Sequence, residues 1–115
     1  MAIEISPQKY SGSVRPMAFG SGERAFTVGG DTAFPFFTFE GKMPNAPKIG
    51  IQVLDFTPDD WAEACAEPYK DVLNDPVAWA KKAQDEYGAD FIQLWLKSTD
   101  PNGLNRSAAD AAETA

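Results

Sequence analysis

The residues of this sequence that are best placed to do chemistry follow two predicted strands in the second half of the chain. The carboxyl ends of parallel strands meet at one edge of a sheet, and α/β sheets and barrels bind their ligands at that edge. Carboxylates there can accept hydrogen bonds, an ammonium can pair with a phosphate or carboxylate, and hydroxyls can donate to polar ligand edges. The six candidates are Asp55 and Phe56 after the first strand, and Lys97, Ser98, Thr99 and Asp100 after the second.

A plainer interpretation of these candidates stays open. In it, Asp55 and Asp100 cap turns, as Asp commonly does, and Lys97 is a solvated charge at the end of a strand. Both interpretations place the residues at the same edge, and they differ in whether a ligand uses the side chains.

The residue composition excludes several kinds of site. The chain has no His, so a His general base, a His metal ligand and a Ser-His-Asp triad are excluded within it. One thiol, Cys65, cannot form an internal disulfide. We expect Cys65 to be a buried structural thiol in a reducing compartment.

The charge balance limits the partners. Lys plus Arg number 10 and Asp plus Glu number 17, which gives a formal net charge of −7. Nucleic acid and anionic membranes both need a basic face, so neither is expected as a partner, whereas a basic protein surface suits this chain. The first five residues do not resemble a signal peptide, and no apolar run approaches the ~20 residues that span a bilayer, so we expect the cytoplasm.

Two strands are predicted to position the candidates. Residues 48–55 are mostly apolar and β-branched, which is typical of a strand buried on both faces of a parallel sheet, and Gly50 indicates close packing. The second strand is predicted over 91–96. A short helix between them is predicted to begin at Thr57 as N-cap and to end at Pro68, with a buried stripe of Trp61, Ala64 and Cys65.

A longer helix is predicted to begin at Asp75-Pro76 and to stop at Gly88. Trp79 lies off the face of this helix that we expect to be buried. Its side chain would then pack against a partner chain or against a neighbouring helix. That face is predicted to hold Val77, Ala80, Ala83 and Tyr87. The polar face offers ion pairs at i, i+4, namely Lys81–Asp85 and Lys82–Glu86.

The order of these elements predicts an α/β fold. Strand, helix and strand with short connections imply parallel strands and a right-handed crossover. A further helix begins at Ser107, with Asp110 three residues on as in a capping box, and no stop signal follows before Ala115. Because two strands cannot bury their apolar faces alone, we expect residues 48–115 to be the first two βα units of an incomplete (β/α)8 TIM barrel.

Residues 1–47 are predicted to form an N-terminal extension with a β-hairpin. Arg24–Val28 is expected to be a short strand, Gly29-Gly30 its turn, and the aromatic run Phe34–Phe39 the returning strand. Gly29-Gly30 could also approach a phosphate, but it lacks the GxGxxG spacing and precedes no helix, which favours the turn. The Phe side chains could form a stacking platform, although a plug for the bottom of a barrel or a subunit contact is favoured.

Several blocks of sequence also match a known family in order. They are Gly29 to Thr32, Phe39 to Gly41 with Pro44-Asn45, Asn74 to Lys82, Glu86 to Asp90, and Thr99 to Asn102. On these blocks, the stretch from Phe26 to Asn105 resembles the corrinoid iron–sulfur protein small subunit, the delta-type subunit of the acetyl-CoA decarbonylase/synthase system.

The resemblance implies a barrel that pairs, as a heterodimer, with a large subunit carrying the iron–sulfur cluster and a cobamide-binding domain. The cobamide (corrinoid) would lie between that domain and the C-terminal mouth of the barrel, with the six strand-end candidates nearest to it. A methyltransferase and acetyl-CoA synthase would bind transiently, since the cobalt carries a methyl group from methyl-tetrahydropterin to the synthase in the reductive acetyl-CoA pathway. The chain itself would be a carrier subunit without catalytic residues or metal ligands.

Two other functions stay open. One is a pterin-dependent methyltransferase or pterin-binding barrel, in which Asp55 and Asp100 would help to hold the pterin ring. The other is an inactive barrel fragment, since this chain supplies two of eight strands. A partial barrel exposes strand edges and apolar faces, so we expect marginal stability or aggregation unless the rest is present.

Overall fold

The structure is a computed structural model that describes residues 2–115. The chain divides into two compact units, one ending at Lys48 and the other comprising Ile49–Ala115. The first holds strands β1 (Met17–Phe19) and β2 (Phe26–Val28). The second holds strands β3 (Gly50–Leu54) and β4 (Phe91–Trp95) and helices α1 (Glu63–Ala66), α2 (Pro76–Asp85) and α3 (Ala108–Ala112). No helix within residues 2–115 has the length and apolar character to cross a membrane.

The N-terminal unit contains an antiparallel pair of strands. β1 pairs with β2, with Met17 opposite Val28, and a 3-10 turn at Gly22–Arg24 lies between the strands. The strand predicted over 24–28 is therefore present, but its partner precedes it in the chain. The hairpin turn predicted at Gly29-Gly30 was wrong, because the connection between the paired strands lies before β2.

The aromatic run Phe34–Phe39, predicted as the returning strand, folds into turns instead. Phe37 N donates to Phe34 O at 3.0 Å, which closes a four-residue turn. Pro35 has the fixed φ that suits the second position of such a turn, and Phe36 follows with a φ of 68°. The prediction was wrong because the turn chemistry of Pro35 outweighs the β propensity of the neighbouring Phe residues.

The C-terminal unit is built on a parallel pair. β3 and β4 are hydrogen-bonded neighbours, with Gly50 opposite Phe91 and Leu54 opposite Trp95. Helices α1 and α2 connect them, so the predicted β-α-β order and the parallel pairing are confirmed. Over residues 2–115 the structure is mixed α/β with two sheets of two strands, and the remaining strands of a barrel stay a prediction.

Helix α1 is shorter than predicted and starts later. Its N-cap is Ala62, and the predicted cap, Thr57, instead donates its hydroxyl to Leu73 O at 3.3 Å. None of the four residues of α1 is buried, and Cys65, predicted to be a buried thiol, is exposed. A helix of one turn presents too few side chains for a buried stripe.

Trp79 is the centre of the core of the C-terminal unit. Its side chain is fully buried together with Val53 and Leu54 of β3. The rings of Trp61 and Tyr69 flank it, with centroid distances of 5.4 Å and 5.6 Å. The prediction that Trp79 lies off the buried face was wrong, because the large indole gains most from burial and sets the rotation of α2.

The ends of α2 follow the predicted chemistry. Asp75 Oδ1 accepts hydrogen bonds from Val77 N and Ala78 N, both at 3.0 Å, and so satisfies two free donors of the first turn. Gly88 follows the helix with a φ of 66°. On the polar face, Lys82 pairs with Asp71 at 2.5 Å rather than with Glu86 as predicted.

Candidate functional site

The ends of β3 and β4 are joined by a buried pair, Asp55 and Ser98. Asp55 Oδ1 accepts a hydrogen bond from Ser98 N at 3.0 Å, and Asp55 Oδ2 accepts a short one from Ser98 Oγ. The carboxylate residue is 5% exposed and the serine is fully buried. Because both oxygens of Asp55 have partners inside the protein, this carboxylate positions the turn after β4 and is occupied by that turn.

Lys97 is the positive charge at this edge. Its Nζ lies 3.7 Å from Asp60 Oδ2 and 5.6 Å from the ring centroid of Trp95. An ammonium over an indole face is held by cation–π attraction, and Asp60 adds an opposite charge from the loop between β3 and α1. The Lys97 side chain is 30% exposed, so it can still donate to an anionic or carbonyl group of a ligand.

Thr99 and Asp100 lie in a turn that local hydrogen bonds close. Thr99 Oγ1 donates to Leu96 O at 2.8 Å, and Asp100 Oδ1 accepts from Asn102 N at 2.8 Å. The far end of the loop returns to the strand end, because Arg106 N donates to Ser98 O at 2.9 Å. Asp100 therefore caps this turn, and both side chains remain exposed at its surface.

The six predicted candidates thus lie in two segments that directly follow β3 and β4. The structure brings Asp55 and Ser98 into contact, and Phe56 follows them half-buried. Sequence reasoning missed Trp95 and Asp60, which hold Lys97. The alternation of side chains along a strand gave no signal for the contact with Trp95, because β4 ends at Trp95 and Lys97 begins a 3-10 turn.

The two faces of the β3–β4 pair are covered unevenly. On one face, Val53 and Ile92 line a cavity of about 280 Å³ together with Ala80 of α2. On the other face Leu54 is buried, whereas Phe91 is 42% exposed and Trp95 is 47% exposed. Aromatic side chains with this much exposure in a sheet offer a surface for packing.

Chemically, the edge supplies contact surface and the positive charge of Lys97. An exposed indole and a half-buried phenyl ring can pack against a flat, partly apolar ligand, and the ammonium of Lys97 can pair with an anionic or carbonyl group. Within residues 2–115, no group of three or more His, Cys, Asp or Glu is arranged to hold a metal ion.

Comparison with known proteins gives one consistent result. A family model described as the CO dehydrogenase/acetyl-CoA synthase delta subunit matches residues 16–115. The match includes both predicted strand ends and all six candidates.

Individual relatives are also named as delta subunits. The acetyl-CoA decarbonylase/synthase complex subunit delta of Archaeoglobus fulgidus is 38% identical in an alignment that covers 96% of this chain and 26% of that protein. The corresponding subunit of Methanothermobacter thermautotrophicus is 33% identical and covers 97% of this chain and 29% of that protein. Subunit delta 1 of Methanosarcina thermophila is 39% identical over 95 residues, which cover 83% of this chain and 21% of that protein. This chain therefore spans only about a quarter of the length of these curated relatives.

Proposed function

The chain belongs to the CO dehydrogenase/acetyl-CoA synthase delta subunit family, and we propose that it is the N-terminal part of the small subunit of a corrinoid iron–sulfur methyl carrier. The proposed carrier takes a methyl group from methyl-tetrahydropterin and passes it to acetyl-CoA synthase in the reductive acetyl-CoA pathway, in the cytoplasm. The match over residues 16–115 carries this proposal, since the relatives are named as subunits of an acetyl-CoA decarbonylase/synthase complex.

The proposed architecture is a (β/α)8 barrel of which this chain is the beginning. Two observations support it. β3 and β4 are parallel and connected through helices, which is the repeating unit of such a barrel. The relatives are also several times longer than this chain, which leaves room for further units. In a barrel the exposed side chains of Phe91 and Trp95 would be covered by further elements, which accounts for their exposure here.

The residues at the strand ends fit a cobamide as contacts to its periphery. Phe56 and Trp95 offer ring surface, and Lys97 and the hydroxyl of Thr99 can meet polar groups. A cobamide supplies, when bound, the cobalt that carries the methyl group. The chain's own residues hold and orient it, and no imidazole is available from this chain as a cobalt ligand.

Within this proposal the six candidates have unequal roles. Asp55 and Ser98 are positioning residues, because their hydrogen bonds to each other fix the turn that follows β4. Lys97 and Thr99 are the residues that contact the cofactor, together with Phe56. The proposed large subunit carries the iron–sulfur cluster and binds the other side of the cobamide, and the methyltransferase and the synthase contact this pair transiently.

A chimera tests the proposal in a whole subunit. In it, this chain replaces the matching quarter of the Archaeoglobus fulgidus delta subunit, and the chimera is co-expressed with a corrinoid-bearing large subunit. We expect a stable heterodimer whose absorbance shows bound cobamide. Lys97→Glu reverses the charge at the strand end and is expected to weaken cobamide retention. Lys70→Glu makes the same charge change at an exposed lysine outside the strand ends and serves as the matched control.

Two results would contradict the proposal. One is a folded chimera, by circular dichroism, that leaves the large subunit and its cobamide unbound. The other is methyl transfer from methyl-tetrahydrofolate to free cobalamin by the chimera alone, which would favour the pterin-dependent methyltransferase instead.

A further inference from the structure

The N-terminal unit contains a cavity whose chemistry differs from that of the strand ends. Its volume is about 320 Å³, and its lining includes Tyr10, Ser13, Asp31, Thr32 and Phe34. This is near the lower limit of small-molecule sites, so it has room for a single side chain or a ligand of similar size. The lining combines two aromatic rings, hydroxyl groups and one carboxylate.

The two rings form a defined corner. Tyr10 and Phe34 lie edge to face, with ring centroids 5.3 Å apart and an interplanar angle of 84°. Such a corner leaves ring faces available for a cation. Burial, followed by the hydrogen bond and the charge of Glu40, raises the pKa of the Tyr10 phenol, so this ring stays neutral at pH 7.

Two carboxylates in this unit have an oxygen that lacks a partner. Asp31 Oδ1 and Glu40 Oε2 are both buried, and neither has a hydrogen-bond partner among the described residues. Glu40 Oε1, by contrast, accepts from Gln8 N at 2.9 Å. A carboxylate oxygen withdrawn from water without a donor is unfavourable, and a positive charge close to it relieves the cost. Asp31 lines the cavity and Glu40 does not; Asp31 Oδ1 is buried beneath the cavity surface, so Asp31 favours a cation there through its negative charge.

We propose that this cavity binds the guanidinium group of an arginine side chain presented by a partner protein. A guanidinium is planar and stacks on aromatic faces while it donates several hydrogen bonds to carboxylates and hydroxyls. The Tyr10–Phe34 corner supplies the first kind of contact, and Asp31 with Ser13 and Thr32 supplies the second. A peptide-borne arginine fits better than free arginine, because the free amino acid brings a carboxylate that Asp31 and Glu40 repel.

The inference is independent of the proposed methyl carrier. It rests on the geometry of residues 8–40, whereas that function rests on the family match and the strand ends. Binding at the cavity can therefore fail while the carrier function holds, and the reverse is also true.

Nuclear magnetic resonance titration of the 115-residue chain tests the inference. The probe is the blocked tripeptide acetyl-Gly-Arg-Gly-amide, and the signals to follow are the backbone amides of Ser11, Gly12, Ser13 and Thr32. We expect saturable shifts with a dissociation constant on the order of 1 mM, as suits a single side chain. Asp31→Asn, which keeps the shape and removes the charge, is expected to weaken binding about tenfold.

Controls separate this site from general charge attraction. Glu23→Gln removes the same charge from an exposed position outside the cavity and is expected to leave the affinity unchanged. Phe34→Leu is expected to weaken binding while the remaining amide signals keep their positions. Equal affinity for free arginine, or for the corresponding lysine tripeptide, would overturn the assignment to a protein-borne guanidinium. The absence of saturable shifts at these amides would overturn the site itself.

Discussion

Asp55 and Ser98 lie 43 residues apart in the chain and are joined by two hydrogen bonds at the ends of neighbouring strands. Asp55 directly follows β3, and Ser98 lies in the 3-10 turn that follows β4. The turn therefore has a fixed position relative to β3, and with it the neighbouring Lys97 and Thr99. Both carboxylate oxygens of Asp55, one of the predicted ligand contacts, are therefore occupied by this turn, and the ligand contacts at this edge stay a prediction.

Replacement of either member of this pair is expected to destabilise the chain. Asp55→Ala leaves both donors of the buried Ser98 without this partner, and Ser98→Ala removes one donor from a buried carboxylate. Each change is expected to lower the free energy of unfolding by about 1–3 kcal/mol, measured by urea denaturation. Thr99→Ala, at the adjacent exposed hydroxyl, is the control and should change it by less than about 1 kcal/mol. A loss for Asp55→Ala no larger than the control's would contradict the supporting role.

Trp79 and Val77 provide a test of which face of α2 is buried. Trp79→Ala removes the largest buried side chain and is expected to cost about 3–5 kcal/mol. Val77 is 58% exposed, so Val77→Ala should change stability by about 0.5 kcal/mol or less. If Trp79→Ala prevents folding altogether, Trp79→Phe provides the measurement, and it should still exceed the effect at Val77. A larger loss of stability for Val77→Ala than for the Trp79 variant would instead support the buried face of α2 that the sequence predicts.

Cys65 provides a direct measure of exposure. The structure places it on the surface of α1, so the native chain should react with a thiol reagent such as dithionitrobenzoate about as fast as the chain in denaturant. A protected thiol that reacts only on unfolding would indicate that α1 is buried. A Cys65→Ser variant provides the blank for the assay.

Much of the C-terminal unit follows from sequence because its signals are local. The two strands are mostly apolar, and Asp75 caps α2 with the hydrogen bonds that its position before Pro76 predicts. The parallel pairing follows from the helical connection between the strands. These features depend on neighbouring residues and on the spacing of apolar residues, so they can be predicted without knowledge of the tertiary contacts.

The errors arose where tertiary contacts decide between local alternatives. The prediction for α2 took its buried face from the spacing of apolar residues alone. In the structure the indole of Trp79 packs against Trp61 and Tyr69, and these contacts set the rotation of the helix. The run after Phe34 has high β propensity, but Pro35 and the absence of a strand partner favour turns. Within the site, the edge was predictable from the strand ends, but the contact of Asp55 with Ser98 was not, because it joins distant positions.

The ion pair of Lys82 and Asp71 predicts a pH dependence. The hydrogen bond from Lys82 is the main cause that lowers the pKa of Asp71, and the same bond raises the pKa of Lys82. A lowered carboxylate pKa stabilises the fold above the ordinary value of 3.8, and this contribution is lost as the pH falls through the lowered value. A raised lysine pKa stabilises below the ordinary value of 10.5, and this contribution is lost as the pH rises through the raised value.

The difference in unfolding free energy between the wild type and Asp71→Asn isolates this contribution. It should be constant from about pH 5 to pH 9 and should shrink on both sides of that window. The effect is modest, because Asp71 is 66% exposed and solvent and salt screen the pair. Asp59→Asn, at an exposed carboxylate without this partner, is the control for the loss of one charge. A difference that stays unchanged down to pH 2 would contradict the pairing.

Gly50 and Phe91 face each other across the parallel pair, and their contact predicts a compensating double variant. A Cβ on Gly50 would lie 2.3 Å from two carbons of the Phe91 ring, so Gly50→Ala must push the ring aside. We expect a loss of about 1–3 kcal/mol from this overpacking. With the ring removed in Phe91→Leu, the same change should be nearly neutral or slightly stabilising, because alanine restricts the unfolded chain more than glycine does. Urea denaturation of the four variants gives the coupling energy, and additive effects would show that the ring does not lie over Gly50.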